Sequence, residues 1–347
     1  MRLVPFIITL FMASPLVAQV GGSSSYGFMS LPSSARALAL GGNIIHTAEG
    51  DVNQGYHNPA ALNSEMDGSL SFNNAFYFAG TTYGYFGYGR SLPKLEATGS
   101  AGIFFVNYGK FTGTDAAGNL TADFRAADLI AHVGISRHYS PRLRYGANLN
   151  LIYSQLESYS ALAISADLGS FYEDTARLFT AALVLRNIGT PIKSYTPDNR
   201  EALPFEIQFG VSKRLEHTPF RLMVVAHNLQ TPNIRYEDPN AQPTTNLFND
   251  TTQTPKEKKY IADKIARHLI FGTEFYLGKT LRLRVAYNHQ RRAEMAVPTK
   301  RALTGFSFGM GMRIYRFNMD YGFGLYHLGG VSHMIGISTR VSEFWGR

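Results

Sequence analysis

Two serines stand in spacings that carry nucleophilic chemistry in other proteins. Gly305-Phe306-Ser307-Phe308-Gly309 has the Gly-x-Ser-x-Gly spacing, and Ser91-Leu92-Pro93-Lys94 has the Ser-x-x-Lys spacing. The first works only on a sharp strand-to-helix turn. Ser307 instead lies in an alternating run, with Phe306, Phe308, Met310 and Met312 on one side and Gly305, Gly309 and Gly311 on its own. It reads as the polar face of a strand. The second motif needs a helix, which Pro93 opposes, and its companion Ser-Asp-Asn and Lys-Thr-Gly motifs are absent. The ten histidines are scattered: His132, His227, His289 and His333 fall on different predicted strands without metal-ligand spacing. Neither catalysis, metal nor cofactor is expected.

The charges are more telling. Asp167, Arg186, Glu206, Glu274, Arg282, Arg284, Arg313, Asp320 and Arg340 all fall on the polar side of alternating runs. If that side faces an enclosed lumen, unpaired charges there are costly, and they should pair with one another or with another segment. A hydrated lumen without specific pairing is the other possibility.

The elements that position these residues repeat with period two from Gly68 onward. Tyr145, Ala147, Leu149, Leu151 and Tyr153 alternate with Gly146, Asn148, Asn150, Ile152 and Ser154, and Phe205, Ile207, Phe209 and Val211 alternate with Glu206, Gln208, Gly210 and Ser212. Turn signals divide the chain into about fourteen strands between residues 68 and 343, among them 124–139, 175–188, 264–278 and 279–292. An even count, with strands of the ~9–11 residues that cross a bilayer tilted, predicts an all-β fold: a 14-stranded antiparallel transmembrane β-barrel. Loop lengths sort by parity. The long connections 110–123, 189–201, 230–263 and 291–299 are all odd-numbered, while Ser140-Pro141, Glu173-Asp174, Gly278-Lys279 and Tyr315-Arg316 are tight. Short turns on one side and long loops on the other are what outer-membrane barrels show. Tyr83, Tyr85, Tyr88, Tyr139, Tyr153, Phe171, Tyr172, Tyr315, Phe344 and Trp345 are expected to form interfacial girdles.

Composition agrees. Charged residues are 17% of the chain, with 24 Phe and 20 Tyr but one Trp, and no run after residue 18 approaches the ~18 apolar residues of a membrane helix. Arg2, the apolar stretch Leu3 to Met12 and the small-residue site at Val17-Ala18 predict a signal peptide over residues 1–18. With no cysteine, a lipoprotein anchor and disulfides are excluded. The formal charge of +8 suits a surface near anionic lipid, and export argues against nucleic acid.

One stretch does not alternate. In residues 28–62, Ser33 or Ser34 can cap Ala35-Arg36-Ala37-Leu38-Ala39-Leu40, which Gly41-Gly42 end, and Asn58-Pro59-Ala60-Ala61-Leu62 repeats the logic. Asp51 and Asn53 form a polar turn between them. On Phe28, Leu31, Pro32, Ala35, Arg36, Leu40, Gly41, Gly42, Asp51, Asn58, Pro59 and Ala60, the stretch resembles the N-terminal segment of the PorQ family of the type IX secretion system, relatives of the PorV shuttles. The resemblance implies a hatch over residues 19–66 inside a FadL-like barrel of residues 67–347. Because lumen charges need partners, Arg36 of that hatch is expected to pair with one or more of Asp167, Glu206, Glu274 or Asp320. It further implies a non-enzymatic outer-membrane anchor for a PorZ-like lipopolysaccharide-binding surface protein, with PorU- and PorV-like components nearby. The longest loop, 230–263, offers Tyr236, Lys256, Lys258, Lys259 and Tyr260 as partner contacts, and is expected to be polar and without fold of its own. A FadL-like transporter of hydrophobic molecules and a PorV-like cargo shuttle remain alternatives.

Overall fold

The computed structural model describes residues 25–344 apart from 48, 116, 198–199, 236–256, 296–302 and 328–329. The expected signal peptide, Trp345, Tyr236 and Lys256 lie outside the described residues.

The alternating runs form fourteen strands: β1 Ser69–Phe76, β2 Thr82–Leu92, β3 Ala97–Phe111, β4 Phe124–Ser140, β5 Leu143–Leu156, β6 Tyr159–Asp174, β7 Phe179–Lys193, β8 Glu206–Arg214, β9 Phe220–Ala226, β10 Leu269–Leu277, β11 Leu281–Asn288, β12 Phe306–Ile314, β13 Phe317–His327 and β14 Gly330–Arg340. Each pairs antiparallel with the next, and β1 closes on β14 with Ser69 opposite Arg340 and Phe76 opposite His333. Closure removes every free sheet edge, which a lipid-facing sheet requires.

The period-two pattern sorts side chains across this wall. On β5, Leu149, Leu151 and Tyr153 point outward, 52%, 49% and 41% exposed, while Asn148, Asn150, Ile152 and Ser154 are buried. Phe72, Leu168, Phe209 and Ile335 extend the same apolar belt around the barrel. Hydrocarbon, not water, is the solvent such a belt fits.

Two expectations about elements change. Residues 264–267 do not open a strand: they close helix α3, Glu257–Arg267, and residues 289–292 belong to helix α4, His289–Met295. The run Glu257 to Arg267 holds three Lys, two Ala and one Glu, so helix propensity prevails once the wall no longer supplies a pairing partner. The loop 230–263 is therefore partly folded. The wall is also uneven, since β4 has 17 residues and β9 only 7. Helices α3 and α4 pack together beside this low side, joined by Asp263 and His289 at 3.1 Å.

The aromatic girdle needs correcting. Tyr83, Tyr85 and Phe171 are fully buried on the inward face, whereas Tyr139, Tyr153, Tyr315 and Phe344 are exposed. Aromatics occupy both faces of β2, so alternation alone could not orient it. Tyr85 gains a partner inside, its hydroxyl lying 2.7 Å from His132 Nε2. Tyrosine tolerates burial when its hydroxyl is bonded.

Apolar packing is concentrated within the wall. Residues 26–66 are almost all buried, and Tyr26, Phe28, Leu38 and Tyr56 pack against Tyr83, Tyr85, Phe104 and Ile152. Tyr56 stacks on Phe104 with ring centroids 5.6 Å apart. Close approach is possible because inward positions are small. A Cβ on Gly309 would sit 2.5 Å from Ala39 Cβ, and one on Gly146 would sit 2.7 Å from Ala60 N.

Candidate functional site

The N-terminal segment is shaped by its own caps. Helix α1, Ala35–Ala39, begins at Ser34, whose Oγ accepts from Ala37 N at 3.1 Å, and ends where Gly42 N donates to Ala37 O at 2.8 Å. Gly41 and Gly42 have φ of 89° and 111°, the conformation of a glycine helix stop. A second short helix, α2, spans Gln54–His57. Asn58 then caps the single turn Pro59–Ala61, its Oδ1 accepting from Ala60 N at 2.9 Å while its Nδ2 donates to Ile45 O at 2.8 Å. Leu31 and Pro32 lead into α1 and are half-buried and buried.

This scaffold holds Arg36 at 2% exposure. Its Nε donates to Glu274 Oε1 at 3.0 Å, and its Nη2 donates to Glu274 Oε2 at 2.8 Å and to Glu49 Oε2 at 3.0 Å. Asp51 lies 3.8 Å from Nη1. Glu274, which has no exposed surface, also accepts from Arg284 Nε at 2.9 Å and from Arg221 Nη1 at 3.3 Å. Arg284 reaches Asp320 at 2.5 Å, Arg221 pairs with Glu49, and Arg282 lies 3.7 Å from Glu49. Four guanidiniums, of Arg36, Arg221, Arg282 and Arg284, thus face four carboxylates, of Glu49, Asp51, Glu274 and Asp320. Balanced charge and paired geometry are the conditions under which burying ions is tolerable.

The field of this cluster is visible on the segment's own groups. Burial opposes charge on Arg36, yet Glu274 and Glu49 raise its pKa well above the usual guanidinium value. Burial would raise the Glu49 carboxyl, but Arg36 and Arg221 prevail and hold it at about 2. For Asp51 burial prevails over the more distant Arg36, and its pKa is raised. His46 is kept neutral by burial, at about 3.

The other predicted lumen charges do not join Arg36. Asp167 is buried among amides, accepting from Asn187 N at 2.8 Å and Asn150 Nδ2 at 3.0 Å. Glu206 lies 4.0 Å from His227. Arg186 stacks over the Tyr56 ring at 5.6 Å. Arg313 has the inward parity but stands at the wall's end, exposed and bonded to Glu343 at 3.3 Å, so its reading as a lumen charge is corrected. Strand ends meet water whichever way they point. Of the loop candidates, Lys258, Lys259 and Tyr260 fall on α3.

Glu49, Arg221 and Tyr276, whose hydroxyl lies 3.2 Å from both Glu49 Oε1 and Glu274 Oε2, were not anticipated. Glu49 and Asp51 flank Gly50 opposite the segment's arginine, a legible signal in retrospect. Arg221 was hidden because β9 is apolar on both faces. Ser307 is buried and lies 3.1 Å from Arg291 Nη1, with no histidine as partner. Ser33 Oγ lies 2.9 Å from His57 Nε2, and both are buried. Among the described residues, no group of three His, Asp or Glu side chains could hold a metal ion.

No family model matches the chain, and no curated protein matches it. Solved structures do. A deletion mutant of the TodX monoaromatic hydrocarbon channel superposes with TM-score 0.53 at 14% identity, covering 89% of this chain and 99% of that one. The CymD monoaromatic hydrocarbon channel gives 0.54 at 12% identity, covering 90% and 98%. A Pseudomonas aeruginosa FadL homologue gives 0.47 at 10% identity, covering 88% and 97%. The first two superpositions, at identities this low, establish a shared fold and nothing further.

Proposed function

We propose that this chain is a non-enzymatic outer-membrane barrel plugged by residues 26–66, serving as the anchor of a surface protein. The observation that carries this reading is the burial of the N-terminal segment against inward-facing side chains of the wall. The N-terminal segment fills the wall's inward face and is tied to it by the four-by-four ion cluster, an arrangement suited to a closed scaffold. The short-turn end would then face the periplasm and the long loops, with α3 and α4, the exterior.

The finer identity follows the sequence resemblance: a PorQ-like anchor in the type IX attachment complex, holding a PorZ-like lipopolysaccharide-binding protein. Helix α3 supports a docking role for the longest loop, since Ile261 and Ile265 are one turn apart and 62% and 58% exposed. The test shortens residues 238–258. The barrel should still insert, and the surface partner should appear in the medium; retention with unchanged affinity would move docking to loops 110–123 or 189–201.

A transporter of hydrophobic molecules is the second reading, in keeping with what the TodX and CymD barrels of the same fold are named for. A cavity of about 260 Å3 between Tyr26 of the segment and Leu156, Tyr159 and Tyr195 of the long-loop end is its specific support. Loss of hydrocarbon uptake in the deletion strain, with the surface partner still attached, would establish this reading instead.

A further inference from the structure

The opposite end of the barrel carries a second cavity, also of about 260 Å3, among the short turns. Its floor is the ion cluster, where Arg36 and Arg284 are committed to carboxylates. Its rim is different. Lys279 comes from the β10–β11 turn, Arg316 from the β12–β13 turn and Arg340 from the end of β14, three separate elements converging on one hollow. None of these three has an ion pair among the described residues, whereas the neighbouring Arg313 is neutralised by Glu343. Glu65 is the one lining carboxylate similarly left over. The rim therefore holds about two uncompensated positive charges in a concave, partly enclosed space.

We propose that this hollow binds a phosphate monoester, either a small soluble one or a lipid headgroup of that type. A carboxylate would bring one charge. A phosphate monoester brings about 1.5 to 2 negative charges at neutral pH and three acceptor oxygens, which matches both the excess charge and the number of cationic arms. Guanidinium forks suit such an oxygen array. Arg316 is preorganised for it, its guanidinium resting over the Tyr315 and Phe344 rings at 4.7 and 5.3 Å. The site is independent of whether the barrel anchors or transports.

The experiment uses the full chain, purified in detergent and titrated calorimetrically with glycerol 3-phosphate at low ionic strength. Arg316→Gln should weaken binding roughly fivefold, as expected of one partly exposed charge pair. The triple variant Lys279→Gln/Arg316→Gln/Arg340→Gln should weaken it more than tenfold, with an unchanged melting temperature showing that the fold is intact. Reconstitution with phosphatidic acid, followed by native mass spectrometry, separates the two sources: retained lipid identifies a headgroup, and soluble binding alone identifies a free phosphate. Equal binding by wild type and triple variant would overturn the proposal. So would no binding of either probe by the wild type, or tighter binding of a hexaglutamate peptide than of both phosphates.

Discussion

Arg36 shares Glu274 with Arg221 and Arg284, so the two ends of that ion pair are not equivalent. Removing Arg36 leaves Glu274 two cations. Removing Glu274 leaves three guanidiniums crowded together, two of them buried. Breaking a buried pair costs ~3–5 kcal/mol, so Arg36→Leu should lower the melting temperature in detergent, and Glu274→Leu should lower it further. The reverse order in thermal melts would mean that the cluster is not the segment's main attachment. Acid should act through the same residues. Glu49 has its folded pKa lowered from 4.5 to about 2, so its contribution is full above pH 4.5 and is lost as pH falls toward 2. His46 is lowered from 6.5 to about 3, so unfolding takes up a proton there and stability declines as pH falls through that interval. Melting temperature should therefore drop below about pH 6.5 and again below about 4.5, with Glu49→Gln flattening the lower step. A lower step that persists in Glu49→Gln would assign it to other carboxyls.

At the scale of elements, the strands separate lipid from interior by parity, and depth along the strand sets the penalty. An arginine at Leu149, in the middle of β5, should cost ~2–4 kcal/mol, whereas Tyr159→Arg at the start of β6 should cost ~0–1. Equal losses in folding titrations into lipid vesicles would contradict a membrane-facing belt. From parity alone, Asn150→Arg on the inward face would be the mild control. It is not one, because Asn150 is 3% exposed and donates to Ser165 and Asp167, leaving no room for a longer cation. The inward glycines offer a cleaner test of docking. Gly169→Val places carbon against Asn58 and Ala60, the three nearest atoms all belonging to the segment, and should loosen it without touching the belt. Faster proteolysis of residues 26–66 with the barrel intact is the expected result, and unchanged protection would show that the turn can give way.

For the whole molecule, the consequence of the proposed plug is electrical. Deleting residues 26–66 should convert a silent barrel into a conducting one in planar bilayers, while the full chain stays closed. Conductance by the full chain would show that ions pass around the segment, and the transporter reading would gain. The wall itself is lopsided, tall at β4 and short at β9, and α4 packs against β10 and β13.

Alternation, loop parity and turn chemistry are local, and the sequence by itself determined from them the strand count, the face of β5 and β8 that meets lipid, and the caps of α1 and the Pro59 turn. Each depends on neighbours a few residues away. The partners of Arg36 are not local. Glu274 is 238 residues distant, and the parity rule that put it inside put Asp167 and Glu206 there too. Which carboxylate met the arginine was decided by barrel closure, which brought β9, β10, β11 and β13 around α1, and by small inward glycines that let the helix approach. Tyr83 and Tyr85 show the same limit. Both faces of β2 are aromatic, so its orientation waited on the register with β1 and β3. Helix α3 was hidden for a related reason: its residues suit a helix, but only the early end of β9 freed them from the sheet.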